Sequence, residues 1–176
     1  MESERLKLNP PSMDYIDAMY DVIQNSRAEF DEFLPWVSDS FTKADLESNI
    51  KQAIKNYQAF NDEFWFNIVE KESDTFIGAI GFIVRDSSVP FFEIGYWLRT
   101  SKTGRGYVTE AVAMIERFAF EEKGAKRIEI KMAGSNIKSQ LVAKRCGYVL
   151  DAELRNARRL PNGELDSTMI YSKSEP

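Results

Sequence analysis

Histidine is absent from the 176-residue chain, and cysteine occurs once, at Cys146. Without histidine, catalysis by a Ser-His-Asp triad or a Cys-His pair is excluded. A single cysteine excludes an intrachain disulfide and a cysteine-rich zinc site. Neither an EF-hand loop nor an HExxH pattern occurs, so we expect no bound metal, and a site built from carboxylates alone is the alternative that the sequence leaves open. Any proton transfer must therefore use Asp, Glu, Ser, Thr, Tyr, Lys, Cys146 or water.

Long apolar runs and an excess of positive charge are also missing. No segment approaches the roughly 18 consecutive apolar residues of a membrane helix, and the start "MESERLKLNP" lacks the basic-then-apolar order of a signal peptide. We therefore expect a cytoplasmic protein that binds no membrane. The net charge of -5 is unlike that of a general nucleic-acid binder, so we expect no direct nucleic-acid contact. The acidity is compatible with a cationic partner such as an amine, although solubility alone also accounts for it.

The length suits one domain over residues 1–176, and no internal repeat or low-complexity tract interrupts it. The hydrophobic period alternates between that of helices and that of strands in the order β-αα-βββ-α-β-α-ββ. This order predicts an α+β fold, in which helices cover both faces of a mixed, mainly antiparallel sheet. The predicted strands are "RLKLNP", "EFWFNIVEK", "TFIGAIGFIVR", "PFFEIGYWLR", "KRIEIKM", "YVLDAELRNARRL" and "ELDSTMIYSK". The predicted helices follow Ser12 and Thr42 as caps, or end at Gly124 and Gly147.

The turn "KTGRGYV" carries Gly104 and Gly106 between a predicted strand and a predicted helix. The first N–H groups of a helix lack partners within the helix, and the helix dipole adds partial positive charge there. Glycines allow an anion to approach such a backbone closely, so the turn predicts a phosphate or pyrophosphate site. It lacks the Gly-Lys-Ser/Thr ending of a P-loop and the third glycine of a dinucleotide fingerprint. The alternative, a turn that binds no ligand, is also compatible with this stretch of sequence.

The surrounding motifs resemble one enzyme family. "EIGYWL", "GRGYVTEA" and "N..S..V..RCGY" lie in this order between Glu93 and Ala157, and a closing hairpin follows. This stretch resembles the GCN5-related N-acetyltransferases (GNAT), especially the ribosomal-protein N-terminal acetyltransferases of the RimJ/RimL type. The resemblance implies the GNAT acyl-CoA N-acyltransferase fold, with acetyl-CoA as cosubstrate.

The family's loop pattern, Gln/Arg-x-x-Gly-x-Gly/Ala, falls on Thr103, Gly106 and Val108. Gly106 matches the pattern, whereas Thr103 and Val108 depart from it. The departures matter little where backbone N–H groups bind, because any residue except proline supplies one. The resemblance thus implies that the turn binds the pyrophosphate of coenzyme A. The implied binding positions are Thr103, Gly104, Arg105, Gly106, Tyr107 and Val108.

The resemblance also assigns roles around the thioester. A backbone amide within Tyr96, Trp97 and Leu98 would polarise the acetyl carbonyl, where the central strand and the next one splay apart. Asn136 would lie beside the pantetheine arm and Ser139 near the sulfur, although Asn136 could equally cap its helix. Many relatives carry a tyrosine acid where this chain has Ala143, so Ser139 becomes the expected donor to the departing thiolate. Arg105 and Lys144 could meet the phosphates of coenzyme A or simply be solvated.

The acceptor side is the least determined part of the site. Glu93, on a mostly apolar strand, could act through water as the base and contact the acceptor, or could be an exposed strand-end residue. Phe33, Leu34 and Trp36 of "EFLPWV" could line the acceptor cleft or form a hydrophobic plug. The neighbouring acidic residues could attract an ammonium group; they are Glu29, Asp31 and Glu32.

Two further residues are expected to be structural. Glu110 would brace the glycine turn, and Cys146 would be a buried residue at a helix end and not a nucleophile.

The sequence therefore predicts an enzyme that moves an acetyl group from acetyl-CoA to a primary amine, most simply the N-terminal α-amine of a protein such as a ribosomal protein. Two alternatives stay open. The acceptor could be a small amine, such as a polyamine, an amino acid or an aminoglycoside. The chain could instead be a catalytically inactive module that binds coenzyme A for regulation. A monomer and a homodimer are both compatible with the sequence.

Overall fold

The computed structural model describes residues 1–84, 86 and 88–174. Arg85, which ends the predicted third strand, lies outside the described residues. Within them, the strands form one seven-stranded sheet in the order β1-β2-β3-β4-β5-β7-β6. All neighbouring strands are antiparallel except β4 and β5, which confirms the mixed, mainly antiparallel sheet. The strands are β1 (Leu6–Asn9), β2 (Asp62–Glu70), β3 (Thr75–Val84), β4 (Phe91–Leu98), β5 (Arg127–Ala133), β6 (Val149–Arg159) and β7 (Leu165–Ser174).

The helices begin where the sequence offers caps. Thr42 and Asp45 form a reciprocal capping box at one helix, and the Asn136 side chain accepts a hydrogen bond from the Ser139 amide at another. A third helix follows Gly106, which adopts the left-handed conformation. The helices are α1 (Ile16–Asn25), α2 (Arg27–Phe30), α3 (Lys43–Ala59), α4 (Tyr107–Arg117) and α5 (Ile137–Arg145). Within the described part of the chain, no helix has the length and apolar character needed to cross a membrane.

Helices cover both faces of the sheet, as predicted. Side chains alternate along a strand, so the adjacent residues Trp97 and Leu98 of β4 point to opposite faces. Leu98 belongs to the larger hydrophobic cluster, which packs under α4, and Trp97 packs against the smaller cluster beneath α1 and α3. On β3, likewise, Ile77 belongs to the larger cluster and the adjacent Phe76 to the smaller one. The central strands are therefore buried on both sides.

The structure corrects one detail of the predicted elements and adds two that the sequence did not predict. The helix expected to run to Gly124 ends at Arg117, and a π-helical turn over Phe118–Glu122 completes it. A single extra turn, α2, follows α1. The terminal hairpin forms around Gly163, but β7 and not β6 lies next to β5. The last strand therefore fills the position between β5 and β6.

The sheet opens at its centre. β4 and β5 pair through four residue pairs, the last of which joins Ile94 and Ile130. Beyond this point β5 continues to Ala133 beside β7, and β4 continues to Leu98 beside β3. The two strands diverge there, and the resulting gap positions the candidate site.

Candidate active site

The glycine turn presents its backbone to open space. Gly104 and Gly106 have φ angles of 76° and 80°, which glycine adopts more readily than any other residue. A Cβ atom built on Gly104 would meet nothing within 4 Å, and one on Gly106 would meet only the Arg5 side chain at 3.6 Å. Among the described residues, no backbone or side-chain acceptor is found for the N–H groups of residues 104 to 108. The turn therefore fits a pyrophosphate that approaches the start of α4.

One side of this turn is held by Glu110, as predicted. Its carboxylate accepts hydrogen bonds from the Ser3 hydroxyl at 2.6 Å and from Arg5 Nε at 2.7 Å. Burial alone would raise the pKa of Glu110, but these hydrogen bonds bring the pKa below its ordinary value. Arg5 Nη1 also donates to the Arg105 carbonyl oxygen at 3.0 Å, and the guanidinium lies 4.7 Å from the centre of the Tyr107 ring. Arg5 thus links Glu110 to the turn and adds positive charge beside it.

The other side is held by Glu70, at the end of β2. The Glu70 carboxylate accepts three hydrogen bonds: from Lys102 Nζ at 2.6 Å, from the Ser73 hydroxyl at 2.6 Å and from the Tyr107 hydroxyl at 2.5 Å. These partners lower the pKa of Glu70 to about 2, with Lys102 contributing most. Since Tyr107 is buried in the core, only its backbone amide can face a ligand. Glu70, Lys102 and Arg5 could not be recognised from the sequence, because no local pattern joins residues so far apart in the chain.

The gap between β4 and β5 exposes backbone donors. The Arg99 amide donates to the Ile77 carbonyl oxygen of β3 at 2.7 Å. Because hydrogen-bonding direction alternates along an antiparallel strand, the amides of Tyr96 and Leu98 point away from β3 and towards the gap. Tyr96 and Trp97 line the adjacent cavity, whereas the Leu98 side chain is buried in the larger hydrophobic cluster.

Tyr96 and Ser139 meet across this gap. The Tyr96 hydroxyl lies 2.7 Å from the Ser139 hydroxyl and 3.4 Å from the Ser139 carbonyl oxygen. Burial raises the pKa of Tyr96, and the hydrogen bond with Ser139 opposes that rise only in part. Asn136 both caps α5 through its Oδ1 and lines the cavity, so the two predicted roles are compatible. A phenol from β4 therefore lies beside the serine that the sequence singled out.

A cavity of about 550 Å³ opens beside the gap. Its walls include Trp36 and Trp97, whose ring centres are 6.3 Å apart, and Phe41, which packs edge-on against Trp36. The structure brings most of the predicted acceptor and thioester residues to this cavity. They are Phe33, Leu34, Trp36, Tyr96, Trp97, Asn136 and Ser139.

The charged residues of the cavity differ from those that the sequence suggested. Glu29, Asp31 and Glu32 do not line it, whereas four other charged residues do: Asp62, Glu63, Lys131 and Arg158.

Glu93 is buried and does not line the cavity. Its carboxylate lies 3.1 Å from Lys131 Nζ, which is also 3.2 Å from Glu129. The idea of an exposed strand-end glutamate is therefore wrong.

The remaining predicted residues lie at the edges of the site. Thr103, Arg105 and Lys144 are exposed, and Val108 is half-buried against the core. Cys146 is half-buried at the end of α5, where burial and the nearby Glu116 raise the pKa of its thiol to about 11. A thiol that stays protonated is a poor nucleophile, in agreement with the structural role expected of Cys146.

This arrangement joins an anion-binding turn, backbone donors in a split sheet and a hydroxyl pair beside a cavity. The family model of the acetyltransferase (GNAT) domain matches residues 5–149 of the chain. The chain belongs to the GNAT family. This membership confirms the acetyltransferase activity that the sequence predicted. The motifs "EIGYWL" and "GRGYVTEA" lie at the gap and at the glycine turn described above.

Three relatives extend the comparison. The ribosomal-protein-serine acetyltransferase of Escherichia coli strain K12 is 27% identical over 172 residues, which cover 97% of this chain and 93% of that protein. The structure of the microcin C7 self-immunity acetyltransferase MccE in complex with acetyl-CoA and AMP is 28% identical, with a TM-score of 0.89 over 98% of this chain and 94% of that one. The ribosomal L7/L12 α-N-protein acetyltransferase RimL in complex with coenzyme A, at 20% identity, shares the fold with a TM-score of 0.89 over 98% and 95% of the chains.

Proposed function

We propose that this chain is one acetyltransferase domain, residues 1–176, that transfers the acetyl group of acetyl-CoA to the N-terminal α-amine of a protein. The observation that carries the proposal is the gap between β4 and β5, where the amides of Tyr96 and Leu98 point away from β3 beside a hydroxyl pair and an open cavity. The similarity to the E. coli ribosomal-protein-serine acetyltransferase along nearly the whole chain supports a protein acceptor. We further propose a cytoplasmic enzyme, monomeric or homodimeric, that needs no metal, membrane or nucleic acid.

The residues of the chain divide the work in this proposal. The amides of residues 104 to 108 bind the pyrophosphate, and Asn136 orients the pantetheine arm with its side-chain NH2. The amides of Tyr96 and Leu98 donate to the carbonyl oxygen of the thioester, whose negative charge grows during transfer. Ser139, hydrogen-bonded to Tyr96, donates a proton to the departing thiolate.

The acceptor must lose a proton before it attacks. A free α-amine has a pKa of about 7.7–8.0, whereas that of a lysine side chain is about 10.4. With no histidine available, the more easily deprotonated α-amine is favoured. Because Glu93 does not line the cavity, it acts on the acceptor only through a bridging water or through Lys131.

A small amine is the second candidate acceptor. It is favoured by the aromatic wall around Trp36 and Trp97, which suits a flat ring, and by the similarity to MccE, whose structure contains AMP. The mixed charge of the cavity makes a polycation such as a polyamine or an aminoglycoside a poorer fit than an amino acid or its derivative.

An acetylation screen with isotope-labelled acetyl-CoA tests these candidates. Peptides with free N-termini, the same peptides with blocked N-termini, and small amines are compared by mass spectrometry. Acetylation of free but not blocked N-termini is expected. Turnover of small amines alone would favour the second candidate, and binding of acetyl-CoA without any turnover would favour an inactive module.

A further inference from the structure

Arg158 lines the acceptor cavity, and its charge acts on Asp166, although no salt bridge joins the two side chains. Its Nε lies 3.5 Å from the Thr168 hydroxyl of β7. Among residues 1–84, 86 and 88–174, no carboxylate forms a salt bridge with its guanidinium. Arginine is usually paired where it is not fully exposed, because its five donors are costly to leave unsatisfied. A half-buried guanidinium beside a cavity therefore points to an anion that comes from outside the chain.

An irregularity in β6 positions this side chain. After an earlier register shift between Leu150 and Ala152, β6 pairs in register with β7 as far as Leu154, opposite Thr168, and pairing resumes only at Arg158, opposite Asp166. Between them, Asn156 adopts a φ of 54°, which is uncommon for a residue other than glycine. Strand bulges bend the strand and redirect side chains, and they are frequent beside active sites. Here the bulge allows Arg158 to lean over Thr168 towards the cavity.

The other charged groups nearby are already engaged. Asp166, opposite Arg158, accepts hydrogen bonds from the backbone and hydroxyl of Ser135 and from the Ser167 amide. Lys131, the other cation that lines the cavity, lies between Glu93 and Glu129. Arg158 is thus the lining cation that is left to meet an incoming anion.

We propose that Arg158 binds a carboxylate of the acceptor and makes the enzyme select N-termini with Asp or Glu among their first three residues. The inference rests on the proposed function, since it specifies which α-amines that site accepts. Neighbouring strands lie about 4.8 Å apart, and an extended peptide advances about 3.4 Å per residue. Thr168 lies on β7, the strand next to β5. A few residues of an extended acceptor peptide therefore span the distance from the gap between β4 and β5 to Thr168. A planar guanidinium binds a carboxylate through two parallel hydrogen bonds.

The test compares peptides that differ at one position at a time. Each set carries Asp, Asn or Lys at position one, two or three of an otherwise identical sequence, and kcat/KM is measured at saturating acetyl-CoA. We expect the wild type to prefer Asp over Asn by about tenfold or more at one of these positions, as a hydrogen bond to a charged group allows. Arg158→Gln should abolish this preference mainly through KM, since the contact is made before and during transfer alike.

Two further variants sharpen the result. Arg158→Glu should reverse the preference towards Lys peptides, a change that a merely structural role for Arg158 would not produce. Arg155→Gln is the matched control, because Arg155 is an exposed arginine of the same bulge that does not line the cavity. It should keep the preference for Asp.

Equal use of Asp and Asn peptides by the wild type would overturn the inference, as would a preference that survives in Arg158→Gln. Failure of the wild type to acetylate any peptide would overturn the proposed protein acceptor instead. In that event, the acetylation of free amino acids is compared with that of their amides to test anion binding by Arg158. A preference for the free carboxylate that Arg158→Gln removes supports anion binding, and its absence refutes it.

Discussion

Replacing Ser139 with alanine should lower turnover far more than it lowers stability or acetyl-CoA binding. The hydroxyl lies 2.7 Å from that of Tyr96, and the Ser139 carbonyl oxygen, which alanine retains, lies 3.4 Å from it. Tyr96 therefore keeps a weaker partner, and the loss of stability should be that of one ordinary hydrogen bond, about 0.5–1.5 kcal/mol. Loss of a positioned proton donor costs on the order of 100-fold in rate, or about 2.7 kcal/mol of transition-state stabilisation.

Three measurements separate these effects. Turnover is measured with acetyl-CoA and acceptor both saturating, the dissociation constant of coenzyme A by calorimetry, and stability by urea unfolding. Ser48→Ala is the control, because Ser48 is exposed on α3 and its hydroxyl donates to the Ala44 carbonyl oxygen of the same helix. Its turnover should stay within about twofold of the wild type, as is usual for surface substitutions away from a site.

A double-mutant cycle with Tyr96→Phe tests whether the two hydroxyls act as a unit. If they do, the double variant should be no slower than the slower single variant, because each substitution already breaks the pair. Unchanged turnover in Ser139→Ala would refute the role of this hydroxyl in the reaction. Cys146 and Tyr148 would then be the next donors to examine.

Three further predictions concern the glycine turn and the acceptor. Gly106→Asp should abolish coenzyme A binding by crowding and repelling the pyrophosphate. Gly163→Asp is its control, because it also places an aspartate at a positive φ, of 89°, but in a distant hairpin turn; this variant should bind normally in calorimetry. Normal binding by both variants would show that the turn at Gly106 holds no phosphate. Glu70→Gln should destabilise the protein by about 2–3 kcal/mol at pH 7, since it weakens the bonds from Lys102 and Tyr107. Because the pKa of Glu70 is about 2 when folded and near 4.5 when unfolded, its stabilisation is complete above pH 4.5 and is lost as the pH falls towards 2, so the difference in urea midpoint should shrink over that range; a constant difference would contradict the assignment. N-terminal amines should be acetylated faster than lysine side chains in the same peptide at pH 7, and equal rates by mass spectrometry would count against the α-amine preference.

Local features were predictable from the sequence because their causes are local. The capping box at Thr42, the helix start after Gly106 and the hairpin at Gly163 each depend on the conformations that a few neighbouring residues prefer. Helix and strand periods then gave the order of elements, and the lack of histidine restricted the chemistry. These features were enough to suggest the GNAT family and the turn that suits coenzyme A.

The tertiary structure alone decided which residues meet. Tyr96 and Ser139 are 43 residues apart, and their contact exists because β4 and β5 diverge after Ile94. The insertion of β7 beside β5 and the bulge at Asn156 bring Arg158 to the cavity, whereas nothing in its own stretch of sequence marks it. Sequence periodicity reports which face of an element is buried, but strand order and strand divergence depend on packing between distant segments.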